Sequence, residues 1–116
     1  MQPEDRDAAL LFDALSAARE LESFVTGVDR ERFLRERALQ LIAEREPTVI
    51  GEAISRLSEQ FCATHSQIEW RKIRGLRNIV IHDYAKIDLD IIWSVVSIEV
   101  PRLMAFIETI LPEPAG

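Results

Sequence analysis

The segment Arg77 to Tyr84 reads RNIVIHDY and sets an arginine, an asparagine, a histidine, an aspartate and a tyrosine into an otherwise apolar run. On a regular α-helix each residue turns the side-chain direction by about 100°. Arg77 and Tyr84 then share one face, and Asn78 and His82 share the neighbouring one, so the four form a single polar sector. Imidazole can take a proton from a ribose 2′-hydroxyl, or return one to a leaving oxygen, near neutral pH. A guanidinium beside it can carry the extra negative charge that builds up on phosphorus. The ring of Tyr84 can stack on a base or hydrogen-bond a phosphate. Arg77 and His82 therefore suit phosphodiester cleavage without a metal. One histidine cannot easily be base and acid at opposite ends of an in-line displacement, and a two-fold dimer would supply the second. The competing reading is structural, because a helix histidine is commonly a packed or capping residue and the same four side chains would also make a polar core network.

Directly upstream, WRKIRGL contributes Arg71, Lys72 and Arg74, and no acidic residue falls between Glu69 and Asp83. These three cations are either a short RNA-contacting patch or a solvated helix face. The formal net charge of -6 argues against a protein that coats nucleic acid nonspecifically, since such binding draws on many Lys and Arg contacts to phosphates. A local patch can still hold a few phosphates. Other constellations are weaker. Cys62 and His65 have a ligand-compatible spacing, but a zinc site needs two more ligands and the only other histidine is His82, so no metal is expected. The glycines at 27, 51, 75 and 116 are scattered, which excludes a P-loop or a dinucleotide fingerprint, and no cofactor is expected. Ser55, Ser58 and Ser66 have no evident base and orienting acid for a hydrolase triad. Trp70 and Trp93 are expected to anchor a core or an interface.

The frame that must position these residues is helical. A chain of 116 residues, 47% hydrophobic and 29% charged, is expected to form one soluble domain over 1–116, with 112–116 (PEPAG) a frayed tail. A single cysteine forms no intrachain disulfide. The N-terminus lacks a secretory pattern and no apolar run is long enough to cross a bilayer, so the cytoplasm is the expected compartment. Leu10, Ala14, Ala17, Leu21 and Phe24 lay an apolar stripe along a helix over residues 4–26, with Gly27 as its stop. Asp29 can cap the next helix, which begins RERFLRERALQLIAERE. Pro47 should kink that helix or start a new one, and Ile50, Ile54, Leu57 and Phe61 carry the stripe on to about residues 60–62. CATHSQ reads as a loop. A third major helix is expected from residue 68 or 69 to 83 or 84, with Ile73, Leu76 and Val80 on its buried side. AKID then connects to a helix capped by Asp88, whose stripe of Leu89, Ile92, Trp93, Val96, Val100, Leu103, Ile107 and Ile110 should be central to the core, with a bend at Pro101. The fold class expected is all-α, an up-and-down bundle of four to five helices.

The stretch IEWRKIRGLRNIVIHDYAKIDLDIIWSVV resembles the signature of the HepT-like proteins of the HEPN superfamily, in which Arg, four to six residues, His, one residue and Tyr mark the active segment. IGEAISRL upstream and VPRLMAFIETIL downstream are similar to the flanking helices of that family, and the resemblance runs over roughly residues 50–111. LIAEREPTVIGEA, which contains Pro47, is longer between its apolar segments than the family leads one to expect. The resemblance implies a helical homodimer acting on RNA as a metal-independent ribonuclease toxin. It also implies a minimal nucleotidyltransferase antitoxin that adds AMP to the motif tyrosine. By the same resemblance Arg77 would stabilise the phosphate in the transition state, His82 would be the acid or base, and Tyr84 would be the modified residue. Asn78 and Asp83 would support them. An AMP group on Tyr84 would place bulk and negative charge in the basic cleft.

Overall fold

The computed structural model describes residues 4–78 and 88–111, and all regular structure among these residues is helical. Helix α1 (Asp5–Val25) opens with Asp5 and Asp7 in its first turn, where acidic side chains complement the helix dipole. It ends at Gly27, whose φ of 79° is open to glycine at little cost. Asp29 caps α2 (Arg30–Arg35) as expected, its carboxylate accepting the Arg32 N–H at 2.8 Å.

The long second helix of the sequence reading is broken twice. Glu36 turns extended between α2 and α3 (Arg37–Ser55), and the buried Gln40 amide donates to the Phe33 carbonyl at 3.0 Å, serving an acceptor that the end of α2 leaves open. Pro47 starts no new helix: α3 runs through it, with Pro47 itself buried. The second break is at residues 56–58, where Ser58 caps α4 (Glu59–Thr64) by accepting the Phe61 N–H. Cys62, Ala63 and Thr64 are therefore helical, which corrects the loop expected over CATHSQ.

α1 and α3 run antiparallel, because Asp7 meets Ser58 while Glu20 lies near Glu46. Leu11, Leu21, Ile50 and Ile54 are fully buried, each contributing about 1.5–3 kcal/mol by leaving water. The expected α1 stripe is slightly out of phase: Ala14, Ala17 and Leu21 are buried, whereas Phe24 is 49% exposed and Leu11, Leu15 and Ala18 face the core instead. α5 (Trp70–Arg74) passes into a 3₁₀ turn at Gly75–Asn78, so the expected third major helix begins at Trp70 rather than residue 68 or 69, and its continuation beyond Asn78 lies outside the described residues.

The last helical run behaves as its stripe implies. α6 (Leu89–Ser94), a π-helical turn (Val95–Glu99) and α7 (Val100–Ile110) are continuous, with Ile92, Val96, Val100, Leu103 and Ile107 buried. The π turn lies just before Pro101, with the Val100 N–H reaching back to the Val95 carbonyl. The extra residue in the turn accommodates a proline that has no N–H to continue the ladder. The expected bend is thus realised as a wide turn. No helix among the described residues is long and apolar enough to cross a membrane.

Candidate active site

The path into RNIVIHDY begins at an aromatic clamp. Trp70 is buried, its Nε1–H donates to the His65 carbonyl at 2.9 Å, and its ring meets Phe61 and Phe106 edge-on at 5.7 and 5.8 Å. His65 stacks on Phe61 at 4.6 Å and meets Phe106 at 5.5 Å. His65 and Trp70 thus fix the start of α5 through packing, as the tryptophan's type implied. Among the described residues no group of three or more His, Cys, Asp and Glu is arranged to hold a metal.

Ile73 and Leu76 are buried against the bundle, as the sequence pattern required, and this turns the basic side chains outward in three different ways. Arg71 is exposed and makes no ion pair among the described residues. Lys72 is exposed too, but its ammonium donates to Glu99 in the π turn at 2.9 Å and lies 3.9 Å from Glu69. The hydrogen bond to Glu99 and the attraction of its charge raise the Lys72 pKa above the usual lysine value. Arg74 is half-buried and donates to the Cys62 sulfur at 3.2 Å, while its Nε is buried without a hydrogen-bond partner among the described residues. Burial raises the Cys62 thiol pKa, and the charge and hydrogen bond of Arg74 partly oppose this.

Arg77 is half-buried and Asn78 exposed, both in the 3₁₀ turn. A 3₁₀ turn advances about 120° per residue, so Arg77 and Asn78 are offset slightly more than on an α-helix, and the expected pairings of Arg77 with Tyr84 and of Asn78 with His82 lie outside the described residues. What holds Arg77 is α3. At Gly51 the helix backbone comes so close that an added Cβ would lie 2.7 Å from the Arg77 backbone N and 3.2 Å from its Cβ. His82, Asp83 and Tyr84 lie outside the described residues, as does Val80. The chain re-enters at Asp88, which caps α6 as expected by accepting the Asp90 and Ile91 N–H groups at 3.0 and 3.2 Å. Behind it, Arg30 pairs with Asp90 and Trp93 packs on Phe33 at 5.2 Å between ring centres.

Three contributors escaped the sequence reading. Gly51 gave a signal only as a glycine inside a helix of strong formers, where it weakens the helix unless close approach requires it. Glu99 reads as an ordinary polar residue beside an apolar stripe and gave none. Asp7 is 4% exposed and accepts the Ser58 N–H at 2.9 Å and the Ser58 Oγ–H at 2.6 Å. The sequence offered only a capping serine followed by Glu59 to suggest that a helix starts there.

The chain is similar to several known proteins. The chain is 32% identical over 114 residues to a Methanocaldococcus jannaschii protein provisionally named an RNase, covering 98% of this chain and 94% of that one. It is 33% identical over 87 residues to a protein of Caldanaerobacter subterraneus subsp. tengcongensis, also provisionally named an RNase, covering 75% and 78%. A Thermococcus cleftensis protein provisionally named ribonuclease HepT is 30% identical over 93 residues, covering 80% and 84%. No solved structure matches the chain significantly. Residues 14–110, which include the whole of RNIVIHDY, match the family described as Ribonuclease HepT-like, and the chain belongs to that family.

Proposed function

We propose that this protein is a metal-independent endoribonuclease, the toxin of a toxin–antitoxin pair, acting in the cytoplasm as a homodimer of one-domain chains whose Arg77 and His82 line a shared cleft. The observation that carries the reading is the family match over residues 14–110, because it takes in an arginine and a histidine with the chemistry that RNA cleavage needs. In that reaction the 2′-oxygen attacks phosphorus, the bond from phosphorus to the 5′-oxygen breaks, and the products are a 2′,3′-cyclic phosphate and a 5′-hydroxyl. One His82 takes the 2′-hydroxyl proton and the partner's copy gives a proton to the leaving oxygen. Arg77 carries the charge on the non-bridging oxygens. Asn78 and Asp83 support the pair, and Arg71, with Arg74 and Lys72 behind it, meets the flanking phosphates. No cofactor takes part. A minimal nucleotidyltransferase antitoxin silences the site by adding AMP to Tyr84, which blocks it by bulk and by charge.

The test is intact mass followed by incubation of a structured RNA pool in EDTA with wild type, His82→Ala and Arg77→Ala. Cleavage by unmodified wild type leaving cyclic phosphate ends, reduced by about 10²-fold or more in each variant, is the expected result. Cleavage that EDTA abolishes would sink the metal-independent mechanism. If unmodified wild type leaves RNA intact, the chain is instead a noncatalytic helical module that engages a nucleotidyltransferase or a nucleotide.

A further inference from the structure

We infer that Gly51 is a positioning residue for the motif arginine: α3 lacks a side chain there so that the backbone of Arg77 can be seated directly on it. The inference rests on the ribonuclease reading above. Its basis is a contact between two backbones. A Cβ built at Gly51 would meet Arg77 N at 2.7 Å, Arg77 Cβ at 3.2 Å and Arg77 Cα at 3.3 Å.

Gly51 has no conformational reason to be glycine. It lies inside the 19-residue helix α3 and its φ is negative, a setting in which alanine is the better helix former. What alanine would lack is room. Arg77, for its part, lies in the 3₁₀ turn that follows α5, a conformation whose hydrogen-bond geometry is poorer than that of an α-helix and which gains from tertiary support. The location of its backbone is therefore set by what it rests against.

The same packing says which side would yield. Leu76 beside Arg77 is buried, like Ile50 and Ile54, but α3 is a 19-residue helix held along its length by α1, so the shorter displacement falls on the turn. Ordinary contact for a Cβ begins at 3.4 Å, and Arg77 N would have to retreat by about 0.7 Å to reach it. Misplacing a reacting group by about 1 Å can cost about 10²-fold in rate. Gly51→Ala should therefore lower kcat about 10- to 100-fold with little change in KM, because Arg71 still meets the flanking phosphates.

Two variants separate positioning from stability. Gly75→Ala adds the same methyl in the same segment, but a Cβ at Gly75 has nothing within 4 Å. Ile54→Val weakens α3 packing by removing a methyl and adds no atom beside Arg77. Both should keep kcat within about twofold of wild type per folded molecule. In NMR spectra the Arg77 amide should shift in Gly51→Ala and stay in place in Ile54→Val. Active wild type matched by an equally active Gly51→Ala would overturn the inference alone. Inactive, unmodified wild type would sink the ribonuclease reading and the inference with it. Concentrated sucrose, which favours the compact state, supports Gly51→Ala if it is marginal. Failure to fold even there would also overturn the inference, since a seat that only places the motif gives way locally.

Discussion

Asp7→Ala is the most exposing test of how the bundle holds its site. The Asp7 carboxylate is 4% exposed and spans 51 residues of sequence to accept both the backbone N–H and the hydroxyl of Ser58. Ser58 in turn caps α4, and α4 carries the Cys62 sulfur on which Arg74 rests. Hydrogen bonds to a charged acceptor contribute roughly 1.5–3 kcal/mol each. Ser58 is exposed, so water can replace part of what is lost, which favours the low end for both bonds. Removing the carboxylate also loses a favourable position in the first turn of α1, about 0.3–1 kcal/mol, and recovers some of the cost of desolvating a charge. The balance is a loss of about 2–3 kcal/mol, a large share of the roughly 5–15 kcal/mol of a typical domain. The midpoint of thermal unfolding should fall by about 8–12 °C.

The assay is urea denaturation at fixed protein concentration, with equal m values confirming that only stability has changed. Asp7→Asn keeps an acceptor for the amide without the charge and should lose only about 1 kcal/mol. A double-mutant cycle with Ser58→Ala isolates the contact, and a coupling energy above about 1 kcal/mol is expected for groups in one hydrogen-bond network. A cost below about 1 kcal/mol for Asp7→Ala, or a coupling near zero, would refute the view that this carboxylate ties the start of α1 to α4.

Glu46 is 6% exposed, and its burial, together with the nearby Glu20 carboxylate, raises its pKa from the ordinary 4.5 against the opposing pull of Arg45. A raised carboxyl pKa means that the fold favours the protonated form, so its contribution is full below 4.5 and is lost as pH rises through the folded value. Glu46→Gln should therefore raise the melting temperature at pH 7, and the gain should vanish below about pH 4.5 when both states are protonated. A gain that persists at acid pH would refute this. Glu99→Gln should release Lys72 from its ion pair and tighten binding of single-stranded RNA, with a steeper salt dependence. Unchanged affinity and salt slope would show that Lys72 does not face the RNA.

Much of the frame was legible because its signals are local. Asp29 and Asp88 cap the helices assigned to them, and in the last stripe Ile92, Val96, Val100, Leu103 and Ile107 are buried while Leu89, Trp93 and Ile110 are half-buried. The misreadings arise where distant residues decide. Pro47 lacks an N–H and should interrupt α3, yet it is buried and the helix continues, since tertiary packing routinely overrides intrinsic propensity. The break at Glu36 depends on Gln40 reaching back to the Phe33 carbonyl, and the break before Ser58 on Asp7, 51 residues away. Phe24 shares the spacing of the core residues, yet at the last turn of α1 it is half exposed. At the proposed site, residue types singled out Arg77 but gave no hint of Gly51, where an added Cβ would meet the Arg77 backbone.

The acidity of the chain is consistent with the proposed chemistry and sharpens its control. Around the described bundle, Arg19, Arg30, Arg32, Arg37 and Lys72 are each within reach of a carboxylate. Their charge is largely compensated where it stands, and a polyanion gains little from approaching the body of the protein. Apart from these pairs, Arg71, Arg74 and Arg77 fall in a stretch with no acidic residue between Glu69 and Asp83, which favours the proposed RNA contacts there. A site that depends on so few charges is sensitive to adding one. The phosphate of an AMP group on Tyr84 would cancel a substantial part of the local positive charge, whereas on a strongly basic ribonuclease the same group would be a small correction. An acidic body with a basic stretch free of carboxylates is therefore well matched to the proposed silencing by a single modification.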